Sequence, residues 1–206
     1  PTAHVIENLP PPAQTLFLTD SLADLGAARW TALASWMRNG GHLVTVAFNL
    51  WDPEEEASGD AFLDAFGVHL HRHEDPEPDC RDAPGAEVAI PDTGPRTLAV
   101  DFAPRFYLKD ADGSADGRVT DPCGAHLLTY AVGDGRLTVL SDARFWRNRR
   151  IGDHDHALFL WQVLTATAPN KAWFLTHVDM PGLPRLLWAK APEAIISGAV
   201  LLLFAL

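Results

Sequence analysis

Continuous apolar runs alternate with stretches of helical periodicity along most of this chain. Five runs have the pattern of buried strands: "TLFLT", "HLVTVAF", "AHLLTYAV", "RLTVLSD" and "AWFLT". Residues 24–39 lie between the first two runs and place Trp30 and Leu33 at helical spacing. Weaker helical patterns occupy residues 58–66 and 153–167. Apolar strands that alternate with helices are typical of a sheet covered on both faces. The pattern therefore predicts an α/β fold, a three-layer doubly wound sandwich.

The runs "AHLLTYAV" and "RLTVLSD" are joined by Gly133-Asp134-Gly135, which favours a hairpin turn. We therefore expect an antiparallel hairpin at one side of the sheet. The run "VHLHRH" predicts a further strand nearer an edge. Residues 74–125 are rich in proline, aspartate and glycine and show only weak strand patterns. Its first part, residues 74–96, is a loop too long for an ordinary connection, which indicates an insertion-rich region.

The chain ends in a long uncharged run. Thirteen uncharged residues follow Glu193, and a membrane-spanning helix needs about 20 apolar residues. Trp188 and Lys190 precede the run, as interfacial residues often do. We expect residues 188–206 to be the start of a truncated transmembrane helix; the alternative is a buried C-terminal helix. The expected organisation is a soluble α/β domain over residues 1–187 followed by this helix.

The composition indicates a packed protein without a nucleic-acid partner. Hydrophobic residues make up 47% of the chain and charged residues 21%, which favours a folded core over disorder. The net charge of −11 argues against nucleic-acid binding, which needs a basic face. Cys80 and Cys123 lack the neighbouring ligands of a zinc knuckle. Whether they pair with each other stays open at this point.

Polar residues follow several of the predicted strands, namely Asp20, Asn49, Asp142 and His177. Ligands of open α/β sheets bind beyond the carboxyl ends of the strands, so these residues are candidates for one shared crevice. The alternative is local: short polar side chains after a strand commonly cap the next helix or turn.

The segment "LSDARFWRNRRIGDHDH" joins the strand "RLTVLSD" to the helical pattern at 153–167. Its candidate ligand-binding residues are Asp142, Arg147, Asn148, Arg149 and Asp155. Guanidinium groups suit phosphate or carboxylate, so the arginines are candidates for an anion site. They could equally pair with acidic residues of the chain or contact anionic lipid. The aspartates near the helix start would offset its dipole.

The segment "HLHRHED" carries the sharpest metal signal. On a strand, His69, His71 and His73 point to one face because side chains alternate. Two of them and one further ligand, such as His154 or His156, could hold zinc. The alternative is an edge strand whose solvent face carries histidines. His69 and His71 are therefore candidate metal ligands.

The sequence contains none of the common catalytic or cofactor motifs. No G-x-S-x-G or G-x-C-x-G stretch follows any predicted strand. Phosphate-binding and dinucleotide-binding glycine motifs are also missing from the sequence. We therefore expect no cofactor, no catalytic nucleophile and no enzymatic activity.

Several segments, in order, resemble the bacterial family called domain of unknown function 4350. They are "LPPPAQTLFLT", "LASWMRNGGHLVTVA", "DAFGV", "VGDGRLTVLSDARFWRNRRIGDHDHALFLWQVL" and "LPRLLWAKAPEAIISGAVLLLF". The resemblance implies a class I glutamine-amidotransferase-like, flavodoxin-like sandwich without the catalytic cysteine. It further implies an anchor in the bacterial inner membrane, a periplasmic domain and an AAA+ ATPase partner of the MoxR kind. Family members often show Asp-Asn-Ala where this chain has Asp155-His156-Ala157.

The sequence thus predicts a non-catalytic, membrane-anchored domain that binds a protein partner or a small anionic ligand on the extracytoplasmic side. One alternative is a metal-dependent hydrolase that uses the strand with His69 and His71. A further alternative is a sensor of anionic glycans or lipid headgroups through Arg147 and Arg149.

Overall fold

The computed structural model describes residues 9–23, 26–74, 86–90, 94–166 and 171–175. Its strands are β1 (Thr15–Leu18), β2 (His42–Val46), β3 (Val68–Arg72), β4 (Ala86–Ile90), β5 (Gly94–Leu98), β6 (Phe106–Asp110), β7 (Gly117–Asp121), β8 (Gly124–Val132), β9 (Gly135–Leu140) and β10 (Ala172–Leu175). Its helices are α1 (Ala27–Arg38), α2 (Ala61–Asp64) and α3 (His156–Thr165), with one 3-10 turn at Arg144–Trp146.

The described strands form one mixed sheet in the order β10-β1-β2-β9-β8-β7-β4-β5. β10, β1, β2 and β9 are parallel. From β9 onward the neighbours β8, β7, β4 and β5 are antiparallel. β6 pairs with β8 and with β3, again antiparallel. The sheet therefore changes from parallel to antiparallel between β9 and β8.

The predicted three-layer doubly wound sandwich is wrong, because only four of the ten described strands are parallel. A parallel pair needs a crossover connection, usually a helix, whereas a turn suffices for an antiparallel pair. Between β3 and β9 the described residues contain no helix. Two-residue turns join β7 to β8 and β8 to β9, and six of the ten described strands are antiparallel to their neighbours.

The predicted transmembrane helix is also corrected. Residues 188–206 lie outside the described part of the chain. Of the helices within the described ranges, none has the length and apolar character needed to cross a bilayer.

Two hydrophobic clusters lie on opposite faces of the sheet. Leu16 belongs to one cluster and its neighbour Phe17 to the other, because successive side chains of a strand point to opposite faces. Helix α1 contributes Leu33 to the first cluster, and α3 contributes Phe159 to the second. The two longer helices thus contribute to different hydrophobic clusters.

The predicted hairpin is confirmed, and its turn contacts the end of α1. β8 and β9 pair from Val132 opposite Gly135 outward. The Asp134 backbone N–H donates to the Arg38 carbonyl at 3.1 Å. A Cβ on Gly135 would lie 2.1 Å from the Met37 carbonyl oxygen, so only glycine allows this close approach.

Candidate functional site

A cleft of about 750 Å³ opens at the carboxyl ends of β1, β2 and β9. Thr19, Ala47 and Ser141 directly follow these strands and line the cleft. Its walls also carry the aromatic side chains Phe17, Phe48, Phe106, Trp146 and Phe174. Open α/β sheets bind ligands at this edge. The cleft is therefore the leading candidate for a binding site.

Some of the predicted ligand-binding residues reach this cleft and others do not. Those in its lining are Asp142, Arg147 and Asn148. Those outside its lining are Asp20, Asn49, Arg149 and Asp155. Asp20 and Asn49 each lie one residue beyond the cleft lining, which contains the preceding residues Thr19 and Phe48. His177 lies outside the described residues.

The arginines at and near the cleft differ in whether they form ion pairs. Asp142 accepts hydrogen bonds from the Arg144 backbone N–H at 3.0 Å and from Arg144 Nε at 2.9 Å. Arg150 donates to Asp101 at 2.6 Å. Arg147 is exposed and has no ion pair with any described residue. Among the described residues, the guanidinium of Arg147 is therefore a positive charge of the lining without an acidic partner.

Ser141, His126 and Asp121 form a hydrogen-bonded chain that the sequence motifs did not indicate. Ser141 Oγ lies 2.9 Å from His126 Nδ1, and His126 Nε2 lies 2.8 Å from Asp121 Oδ1. The His126 side chain is fully buried and its ring stacks on Phe102, with centroids 4.5 Å apart. Ser141 is 5% exposed and lines the cleft. A serine hydroxyl at the cleft thus contacts an imidazole that a carboxylate orients from behind.

The hairpin register contained a signal for this arrangement. Val132 pairs with Gly135 across the predicted turn. Residues 126 and 141 are each six positions further from the turn, so the same register places them opposite each other. The Ser141 backbone N–H donates to the His126 carbonyl at 2.9 Å, as that register requires. Motif searches miss the pair because they look for nucleophiles on strand-to-helix turns, whereas this hairpin brings it together across two strands.

One three-residue set among the described residues has metal-ligand geometry. Ligand atoms of Asp121, Cys123 and His126 lie within 4.8 Å of one another. Cys123, however, is disulfide-bonded and offers no thiolate, and Asp121 already accepts hydrogen bonds from Cys123 N and His126. The arrangement is therefore a closed hydrogen-bond network. Cys80, the second cysteine of the sequence, lies outside the described residues.

The histidines of β3 stack on aromatic rings and do not converge. His69 lies flat on Trp51 with ring centroids 3.4 Å apart, and His71 stacks on Tyr107 at 5.4 Å. Their own centroids are 6.3 Å apart. Burial lowers the pKa of both imidazoles. His73 donates from Nε2 to the Cys123 carbonyl. This geometry gives no support to a metal site on β3.

The profile of a family described as "Domain of unknown function (DUF4350)" matches residues 2–164. This chain belongs to the DUF4350 family. The family resemblance is thereby confirmed for the four quoted segments within residues 2–164, whereas the fifth segment lies beyond them. A search of curated proteins found no match to the DUF4350 chain.

Solved structures similar to this DUF4350 chain are distant. The N-terminal domain of mmIFT52 is 14% identical, with a TM-score of 0.51 over 76% of this chain and 78% of that one. The exo-β-1,4-mannosidase Op5Man5 from Opitutaceae bacterium strain TAV5 is 18% identical, with a TM-score of 0.42. That match covers 74% of this chain and 25% of the mannosidase, so this chain spans about a quarter of the enzyme's length. Cytoplasmic Protein STM1381 from Salmonella typhimurium LT2 is 13% identical, with a TM-score of 0.49 over 80% and 79% of the two chains. The likeness to the mmIFT52 domain shows a similar fold and nothing further.

The residues Asp155 and His156 of the DUF4350 chain have structural partners. Asp155 precedes α3 without capping it through its side chain; its Oδ2 accepts the Ala99 backbone N–H at 3.0 Å. His156 is fully buried; its Nδ1 donates to the Arg150 carbonyl at 2.7 Å and its Nε2 accepts the Asp101 backbone N–H at 3.0 Å. A neutral imidazole thus supplies one donor and one acceptor, as the amide common at this family position would.

Proposed function

We propose that this domain binds a small organic anion in the cleft at the carboxyl ends of β1, β2 and β9. The observation that carries the proposal is Arg147, an exposed guanidinium without an ion pair among the described residues, on a cleft with aromatic walls. The cleft volume of about 750 Å³ falls in the range of small-molecule sites, roughly 300–1,000 Å³.

The aromatic walls favour a ligand with an apolar body. Phe48 is 48% exposed and Phe174 is 51% exposed, although both line a concave surface. Aromatic rings gain stability from stacked or edge contacts with another flat group, beyond the gain from burial. A ligand that inserts a planar group would cover these rings and remove apolar area from water.

The polar side of the cleft favours a negative charge. Arg144 is bound to Asp142, so these two charges offset each other. Arg147 is left to bind an anion, and the side chain of Asn148 adds donor and acceptor groups to the same lining. The chain carries a net charge of −11, which disfavours large polyanions. A small carboxylate or phosphate compound suits this combination better.

Fluorescence titration with 8-anilinonaphthalene-1-sulfonate, an aromatic anion, tests the proposal. Arg147→Ala should weaken binding roughly tenfold, because a hydrogen bond to a charged group is lost. Arg149→Ala is the matched control, because Arg149 is exposed on the same segment but lies outside the lining, and binding should stay within about twofold.

A second control separates the cleft from other exposed aromatic groups. Trp161 is 66% exposed and lies outside the cleft, so Trp161→Ala should leave the dye affinity unchanged. Added salt should weaken dye binding to the wild type more than to Arg147→Ala. Equal affinities of the Arg147 and Arg149 variants would refute the anion site.

The expected MoxR-type partner and the extracytoplasmic position stay predictions, because no described contact bears on either. Both come from the family resemblance. Co-purification of the full-length protein with its neighbours in the cell would test them.

A further inference from the structure

We propose that Ser141 is a nucleophile for acyl transfer, with His126 as its general base and Asp121 as the positioning residue. This goes beyond ligand binding and departs from the expectation of no enzymatic activity. That expectation was based on motifs at strand-to-helix turns. Ser141 instead lies at the end of β9, where the hairpin brings it to His126.

The hydrogen bonds fix which nitrogen of His126 is the base. An ionised carboxylate only accepts, so the 2.8 Å contact to Asp121 places the imidazole proton on Nε2. Nδ1 then carries the lone pair, 2.9 Å from Ser141 Oγ. Asp121 is itself held, because its Oδ1 also accepts the Cys123 backbone N–H at 2.7 Å. The hydroxyl proton of Ser141 therefore points at a base of defined orientation.

The cleft gives a substrate, and later a water molecule, access to the Ser141 side, while the rest of the His126 ring is buried. Ser141 lines the cleft, whereas the His126 side chain is fully buried behind it. Asp142 and Ala143 follow Ser141 and also line the cleft. Neither of their backbone N–H groups donates to another described residue. We assign these two N–H groups to the oxyanion that forms during attack.

The reaction balances with water as the second reactant. Ser141 Oγ attacks the carbonyl carbon of an ester while Nδ1 of His126 takes the hydroxyl proton. The bond between the acyl carbon and the alcohol oxygen breaks, and Nδ1–H gives its proton to the departing alkoxide. Water then loses a proton to Nδ1 and attacks the acyl-serine. The products are a carboxylic acid, an alcohol and the restored serine.

The substrate class that we infer is an ester with a separate carboxylate. Arg147 lies in the same lining as Ser141 and would hold that carboxylate during attack. This part rests on the proposed anion site, whereas the nucleophilic serine stands without it. The two inferences therefore need separate measurements.

Labelling with a fluorophosphonate measures the nucleophile directly. Intact mass should show one adduct on the wild-type protein, and peptide mapping should place it on Ser141. Ser141→Ala should remove the adduct, while Ser114→Ala, which changes an exposed loop serine, should keep it. Asp121→Asn retains the accepting oxygen but loses the charge, so labelling should slow by about a hundredfold with unchanged dye binding.

Hydrolysis of 4-nitrophenyl acetate and of 4-nitrophenyl hemisuccinate tests the substrate class. The wild type should prefer the anionic hemisuccinate, and Arg147→Ala should remove that preference, whereas Arg149→Ala, outside the lining, should retain it. Intact dye binding without an adduct on Ser141 would overturn the nucleophile and leave the anion site in place. An adduct on Ser141 in a protein that does not bind the dye would refute the anion site alone.

Discussion

Nε2 of His42 lies 2.9 Å from Oγ1 of Thr138 on the neighbouring parallel strand. On the other side, His42 Nδ1 lies 3.3 Å from Thr15 Oγ1, whose hydroxyl donates to the Leu164 carbonyl. The Thr15 oxygen is thus the acceptor for Nδ1–H, and Nε2 accepts from Thr138. A neutral imidazole therefore bridges β1, β2 and β9 in the interior.

Stability should fall with acidification because of His42. Burial, and next the charge of Arg136, lower the pKa of this imidazole from 6.5 to about 4. The unfolded chain then binds more protons than the folded chain between these values. The contribution is complete above pH 6.5 and is lost as the pH falls towards 4. Over that window the pKa difference corresponds to about 3 kcal/mol.

Urea unfolding at pH 7 and at pH 4.5 checks this prediction. His42→Gln removes the titrating group, so the loss of unfolding free energy between the two pH values should shrink in the variant, even where the variant is less stable throughout. An equal loss in the wild type and in His42→Gln would show that other groups cause the acid sensitivity.

Asp155 should stabilise the fold through its bond to the chain after β5. Asp155→Ala leaves the Ala99 backbone N–H without its acceptor, which should cost about 1–3 kcal/mol in the free energy of unfolding. Asp153→Ala is the matched control. Asp153 is exposed, and the one ion pair of its side chain with a described residue is a 3.9 Å contact to Arg150, so the expected change is below about 0.5 kcal/mol. Similar losses in both variants would contradict a specific role for the Ala99 contact.

Gly135 should tolerate no side chain. A Cβ there would lie 2.1 Å from the Met37 carbonyl oxygen and 2.3 Å from that of Gly41. Both neighbours are backbone atoms and cannot move aside, so Gly135→Ala should destabilise the protein by at least about 2 kcal/mol. Gly152→Ala meets nothing within 4 Å and should change stability little. Thermal unfolding of the two variants tests this prediction. Equal midpoint temperatures for Gly135→Ala and Gly152→Ala would contradict the close packing of α1 on the hairpin.

The positions of the strongly apolar strands and the antiparallel hairpin of β8 and β9 could be predicted from the sequence, but the antiparallel directions of β3 to β7 could not. The apolar runs at β1, β2, β8, β9 and β10 lie where the pattern placed them. Helix α2 is shorter than its pattern, because Asp60 caps it by accepting from Phe62 and Leu63, and Gly67 has a positive φ. The direction of a strand depends on the connection that leads into it. The weak patterns of residues 74–125 did not indicate that the strands of this region pair in antiparallel fashion.

The candidate site was predicted only in part. Asp142, Arg147 and Asn148 reach the cleft as expected, because polar residues after a parallel strand meet at one edge. The chain from Ser141 to Asp121 was missed. His126 stands in an apolar run, where a histidine gives no motif of its own. Only the register of the hairpin, counted from its glycine turn, brings it beside the serine.

That register has a consequence for variation within the family. His126 and Ser141 each stand six positions from the turn residues that pair across it. One inserted residue on either arm would rotate one of the two side chains to the opposite face of the sheet. Relatives that share the chemistry proposed for this pair should therefore keep the length of both arms unchanged, whatever residues fill them, while loops elsewhere grow or shrink freely.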